Sequence, residues 1–146
     1  MRIAVGSDHA GFELKEHVKE LLSAEGHEVT DVGTESDEST DYPTFARPAA
    51  RLVADGEAER GVLVCGSGVG VSITANKVPG IRAVNAHDPE EAELARQHND
   101  VNVLTLSGRR IAARQADEIV HAFLAASFEG GRHQKRVDLI EDESLH

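Results

Sequence analysis

Short runs rich in Val, Ile and Leu recur at residues 2–5, 28–32, 61–65, 81–84 and 101–106, and longer stretches of helical composition lie between them. Phe12, Leu14, Val18, Leu21 and Leu22 make an apolar stripe at helical spacing, with Gly26 where such a helix would end. Residues 43–54 predict a second helix, with Pro43 in its first turn and Asp55-Gly56 as its stop. Residues 89–97 open on acidic side chains and close on Arg96, which suits the helix dipole. Ile111, Ile119, Val120, Phe123 and Leu124 mark a last long helix over 111–123, and from Phe128 a loop leading to a short C-terminal segment is expected. The alternation predicts an α/β fold, an open parallel sheet with helices on both faces and a ligand site beyond the carboxyl ends of the strands.

Length and charge narrow the possibilities. A chain of 146 residues with 40% hydrophobic and 28% charged residues predicts one soluble domain over 1–146, with an acidic, frayed tail from about 138 that includes Glu141-Asp142-Glu143. No run of about 20 apolar residues is present to span a bilayer, and MRIAVGSDHAG lacks a signal-peptide layout, so a cytoplasmic protein is expected. The net charge of -11 argues against nucleic acid or an anionic membrane as a partner. The charge is uneven, however. Arg109, Arg110, Arg114, Arg132, Lys135 and Arg136 face only Asp117, Glu118 and Glu129 between positions 109 and 136, so this segment carries +3 and the remainder -14. A small anion could be held there.

The candidate chemistry follows the strands. Residues 6–11 (GSDHAG) follow the first, and Cys65 with Gly66, Ser67, Gly68 and Gly70 closes the third. Such a glycine-rich turn can aim several backbone N–H groups at one anionic oxygen. Its GxGxG spacing differs from the GxGxxG of dinucleotide folds, and no GK[ST] is present for a P-loop. Cys65 is the chain's single cysteine, which excludes an internal disulfide. At the end of a buried strand, against donors at the start of a helix, it is placed to act as a thiolate, although lone cysteines commonly serve as small buried hydrophobes. Of eight histidines, His9, His87, His98 and His133 stand in informative places, whereas His17, His27, His121 and His146 have plain positional explanations. No HExxH or comparable local spacing predicts a metal.

GSDHAG, TDYP, CGSGVG running into ITANKVPGIRA, ARQHNDVNVL with SGRR behind it, and EGGRHQKR occur in that order. In these motifs the chain resembles the RpiB/LacAB family of phosphosugar isomerases from Arg2 to about Val137. The resemblance implies a Rossmann-like three-layer α/β/α sandwich with a five-stranded parallel sheet, and a homodimer, which could pair into a tetramer, with active sites shared between subunits. It implies interconversion of ribose 5-phosphate and ribulose 5-phosphate without a cofactor. Cys65 matches the catalytic base. A branch of the family uses instead a glutamate that would fall at Val71. Gly66, Ser67, Gly68 and Gly70 match the loop that holds the enediolate oxygens, and the Ser67 hydroxyl would shuttle protons between them. Asp8 and His98 match residues that open the furanose ring, Asn99 a ligand of the reacting oxygens, and Tyr42 a residue of the pocket wall. His9, Arg109, Arg132 and Arg136 match the phosphate-binding set, part of it donated by the partner subunit. Arg110 and Lys135 have no matching role, Arg82 is expected to be structural, and His87 is expected in a solvated loop, with a part in substrate specificity as the alternative.

Two other readings compete with this one. The same residues could isomerise allose 6-phosphate, galactose 6-phosphate or a four-carbon sugar phosphate, because one carbon changes discrimination only modestly. A non-catalytic phosphosugar- or nucleotide-binding module would also explain the alternation, but it leaves Cys65 and Asn99 without a purpose.

Overall fold

The computed structural model describes residues 1–145, and His146 lies outside them. Five strands, β1 (Arg2–Ser7), β2 (Glu28–Asp31), β3 (Arg60–Cys65), β4 (Ala83–Asn85) and β5 (Val103–Ser107), pair in the order β2-β1-β3-β5-β4, and every pairing is parallel. Among the described residues six α-helices accompany them: α1 (Phe12–Ala24), α2 (Pro43–Ala54), α3 (Val69–Asn76), α4 (Pro89–Asn99), α5 (Ala113–Ala125) and α6 (Arg132–Glu141). The α/β class read from the sequence is the one observed. Because β2 lies on one side of β1 while β3, β5 and β4 lie on the other, the connections diverge between β1 and β3, which opens a crevice at their carboxyl ends.

The period of two along the strands sorts side chains into two layers. Ile3, Val5, Val62, Val64, Leu104 and Leu106 pack with Leu14, Val18 and Leu22 of α1 and Ile119, Val120 and Phe123 of α5. Ala4, Leu63, Cys65 and Val103 face the other way, against Ala46, Ala49, Ala50 and Val53 of α2 and Val71 and Ala75 of α3. Small side chains dominate the second layer, so α2 and α3 ride close to the sheet. Cys65 therefore points under α3, and Val71 is a buried core residue. Among the described residues no helix is long and apolar enough to cross a membrane.

Several boundaries differ from those expected. β1 continues through Ser7, whereas Ile81 lies in a turn before β4, its N–H donating to Val78 O at 3.1 Å. Val101 still belongs to the close of α4, its N–H donating to Ala95 O at 3.3 Å, so β5 starts at Val103. The segment after Phe128 is not mainly loop. It contains α6, a helix with only His133 and Val137 buried, four positions apart on one face. The frayed-tail expectation also fails at Glu141, which belongs to α6 and accepts from Arg82 Nη1 at 2.6 Å.

A buried cation fixes the loop between β2 and α2. Lys15 is 1% exposed, and its Nζ donates to Asp31 Oδ2 at 2.9 Å, Glu16 Oε1 at 2.7 Å and Thr34 O at 2.7 Å. With three acceptors its donors are fully used, as a buried ammonium requires. Ser7 and the loop exchange backbone bonds as well, Ser7 N–H to Gly33 O at 2.6 Å and Thr34 N–H to Ser7 O at 2.7 Å. The stretch that carries Thr40 and Tyr42 is thus moored to the end of β1.

Candidate active site

A cleft of about 380 Å³ opens at the β1–β3 divergence, lined by Asp8, His9, Tyr42, Cys65, Gly66, Ser67, Gly70 and Arg109, with Val69 and Ile73 of α3 at its edge. A larger cavity of about 700 Å³ lies between the turn after α3 and the end of α6. It collects none of the strand-end chemistry, and its Arg82 is already bonded to Glu141, Asn99 O and Asp100 O.

The turn after β3 is held from beneath by three consecutive carbonyls. Gly66 O accepts from Ser107 Oγ at 2.6 Å and Arg109 N–H at 3.1 Å, Ser67 O from Asn85 Nδ2 at 3.2 Å, and Gly68 O from Thr105 Oγ1 at 2.9 Å. With its carbonyls turned to β4 and β5, the turn leaves its amide edge for the cleft. Gly68 N–H donates to Cys65 Sγ at 3.2 Å, and Val69 N–H donates to Ser67 Oγ at 3.1 Å, which leaves the Ser67 hydroxyl proton to donate elsewhere. Gly68 has φ +78°, and a Cβ there would collide with Asn85 Oδ1. At Gly70 a Cβ would lie 2.6 Å from Cε1 and Cζ of Tyr42, so the ring rests directly on the start of α3.

The remaining walls come from β1 and β5. Asp8 Oδ1 accepts from Gly11 N–H at 3.0 Å and caps a short 3-10 turn, His9–Gly11, that carries His9 into the cleft. Arg109 follows β5, with its guanidinium across Gly66, where a Cβ would meet Cζ at 3.1 Å. Asn85, Thr105 and Ser107 form the support of the turn; Asn85 stands in an informative place after the fourth apolar run, whereas Thr105 and Ser107 do not stand out in the sequence. A buried Thr within a strand has the same local pattern as any β-branched strand residue.

His98, Asn99, Arg132 and Arg136 do not line this cleft. α4 ends beside the amino ends of the strands, where Asn102 O accepts from Gly61 N–H at 3.0 Å, and α6 packs there too. The His98 and His133 rings stack with centroids 4.4 Å apart and planes 12° apart, and each Nε2 lies 3.6 Å from Glu129 Oε1. Burial, His98 and Arg132 push the His133 imidazole below the usual histidine range. The ligand atoms of His98, Glu129 and His133 lie within 4.8 Å of one another, a grouping that local sequence spacing does not reveal. Arg132 and Arg136 make these surroundings cationic, which favours an anion over a divalent metal. His87 is exposed beside Glu91, at 3.4 Å, as expected of a loop residue.

The sequence model of the ribose/galactose isomerases matches residues 3–140. The chain belongs to this family. Ribose-5-phosphate isomerase B of Escherichia coli K12 is 52% identical to it over 139 residues, covering 95% of this chain and 93% of that protein. The crystal structure of a ribose 5-phosphate isomerase from Thermotoga maritima superposes with a TM-score of 0.95 at 49% identity, covering 97% of each chain. Ribose-5-phosphate isomerase B of Mycoplasma genitalium, solved with bound ribulose-5-phosphate, gives a TM-score of 0.94 at 41% identity, covering 99% of this chain and 97% of that one. Family membership and three-layer fold thus agree with the resemblance read from the motifs.

Proposed function

We propose that the protein is an aldose–ketose isomerase that interconverts ribose 5-phosphate and ribulose 5-phosphate in the cytoplasm, with Cys65 as its base. The reading rests on Cys65 Sγ lying beneath an amide-edged turn in a cleft that also holds His9, Tyr42 and Arg109. The activity of the E. coli relative and the ribulose-5-phosphate bound to the Mycoplasma relative support that substrate.

In the proposed reaction the Cys65 thiolate takes the proton from C2 of the open-chain aldose and returns it, as the thiol, to C1. The charge that develops on O1 and O2 is met by those N–H groups of the turn from Gly66 to Gly70 that are not given to Cys65 Sγ or Ser67 Oγ, and Ser67 Oγ carries the hydroxyl proton from O2 to O1. Donors preorganised toward that charge are the largest catalytic contribution expected of such a site. Arg109 and His9 hold the phosphate at the far end and so fix C1 and C2 against the sulfur. Asp8 has a ring-opening role in this scheme, with one oxygen engaged by Gly11 and the other left for the sugar.

His98, Asn99, Arg132 and Arg136 join the site from a second copy of the chain. A two-fold pair would let the amino-edge group of each subunit complete the cleft of the other. Val69 and Ile73, 50% and 57% exposed at the rim of the cleft, suit burial by that partner. The expected assembly is a homodimer, which could pair further into a tetramer, with neither a cofactor nor a metal required.

Cys65→Ala should lower kcat for ribose 5-phosphate by about 10²- to 10⁴-fold with the melting temperature retained, and full activity would refute the assignment. Comparing kcat/KM for five-carbon substrates with that for allose, galactose and four-carbon phosphates tests the sugar. Mixing inactive Cys65→Ala and His98→Ala proteins should restore about a quarter of parental activity if two-fold dimers exchange at random, and no recovery after exchange would refute a shared site.

A further inference from the structure

We propose that Thr40 is a positioning residue that locks His9 in one tautomer, with its proton on Nε2, so that the imidazole enters the cleft as a fixed neutral donor. This rests on the reading of the cleft as a sugar-phosphate site, but the tautomer itself is a property of the free protein.

Two reciprocal hydrogen bonds carry the inference. His9 N–H donates to Thr40 Oγ1 at 3.2 Å, and Thr40 N–H donates to His9 Nδ1 at 3.1 Å. A backbone amide has no lone pair to offer and cannot exchange roles, so Nδ1 must be the bare nitrogen of the ring. The proton of the neutral imidazole therefore sits on Nε2. Protonating Nδ1 would set N–H against N–H and break the clasp.

Both partners are held independently. His9 begins the turn capped by Asp8 after β1. Thr40 belongs to the loop that Lys15 fixes through Thr34 O at 2.7 Å. The clasp spans 31 residues of sequence and joins two walls of one cleft, since Tyr42 lies just beyond Thr40. A ring fixed in this way offers the cleft an N–H and no lone pair. It can bind a phosphate or sugar oxygen, but it cannot take a proton from substrate without first giving up Thr40. Proton removal is thereby left to Cys65, although a histidine stands in the same cleft. The neutral donor also complements Arg109, which supplies the charge for an anionic group while His9 supplies direction.

The test joins spectroscopy with kinetics on the full chain. In long-range proton–nitrogen correlation spectra of the ligand-free protein near neutral pH, His9 should show a bare Nδ1 and a protonated Nε2, with His9→Asn identifying its signals. A proton on Nδ1, or a doubly protonated ring, would overturn the proposal. Thr40→Val keeps the Thr40 N–H but removes Oγ1, the half of the clasp that holds the two main chains in register, and the loosened clasp should raise KM for ribose 5-phosphate about 10-fold with kcat within about 2-fold, while the His9 nitrogen signals move toward a mixed tautomer. Thr40→Ser keeps the acceptor and should restore both readouts. A Thr40→Val protein with parental KM and an unchanged His9 spectrum would overturn the role of Thr40. Failure of the wild-type protein to isomerise any aldose phosphate would refute the functional reading while the ligand-free spectrum still decided the tautomer.

Discussion

Thr105→Val keeps the shape of a fully buried β-branched strand residue and deletes the hydroxyl that Gly68 O receives from beneath at 2.9 Å. Such a swap is isosteric yet not neutral, because it leaves Gly68 O with only the longer bond from Ser72 N–H, at 3.3 Å. Losing the shorter of its two hydrogen bonds costs about 0.5–1.5 kcal/mol. For a chain of 146 residues, each kcal/mol shifts Tm by roughly 3 °C, so the variant should melt about 1–5 °C below the parent. The loss is also local, since Gly68 is the residue whose N–H holds Cys65 Sγ at 3.2 Å. A turn displaced by a fraction of an ångström misaligns that donor, and kcat should fall by about 10- to 100-fold. Calorimetry gives the first quantity, and a coupled isomerase assay well below both melting points gives the second. Thr105→Ser retains the hydroxyl and should recover kcat, although the missing methyl still costs stability. A valine variant with lowered Tm and parental kcat/KM would refute the coupling of Thr105 to the turn, and an unchanged Tm would refute a stabilising bond from Thr105 to Gly68 O.

Gly70→Ala places a Cβ 2.6 Å from the Tyr42 ring on a backbone that helix α3 already holds in a conformation open to alanine. The fold should be as stable as the parent, or more so by up to about 1 kcal/mol, while the displaced ring raises KM about 10-fold; a lower Tm with unchanged KM would contradict this. Burial alone would raise Asp31, but hydrogen bonds from Lys15, the Gly33 N–H and Lys19 hold its carboxyl below the usual range. Its contribution to stability is therefore complete above the ordinary Asp value of about 3.9 and is lost as pH falls through the lower folded value. Asp31→Asn should lower stability at neutral pH and flatten the decline of denaturant midpoints below about pH 5, and an acid limb as steep as the parent's would refute the assignment.

The strands and the first helices are legible in the sequence because their apolar periodicity is dense. α6 is not, since its buried face consists of His133 and Val137 alone and its composition is that of a solvated segment. The cleft is partly legible for a related reason. Cys65, Gly66, Ser67, Gly70, Asp8, His9, Tyr42 and Arg109 meet there as the motifs imply. Ser107, Asn85 and Thr105 support the turn through bonds across 18 to 41 positions of sequence, which no local spacing encodes. Thr40 likewise gives no local sign of its bond to His9. His98 and Asn99 fold to the far edge of the sheet because α4, returning from β4, deposits its last residues at the amino side, and Arg132 and Arg136 lie there because α6 follows the end of α5 and packs on α4.

The two unequal layers of the sheet set different limits on how this sequence can drift. On the α1 and α5 side, large aliphatic and aromatic groups interlock, and one can exchange for another if volume is kept. On the α2 and α3 side the contacts are largely alanine, and an added methylene has nowhere to go except into helix displacement. Since α3 starts in the turn over Cys65, that displacement is transmitted to the reacting atoms. Divergence that leaves activity intact should therefore collect on the first face, and laboratory evolution toward stability has more room there than behind the cleft.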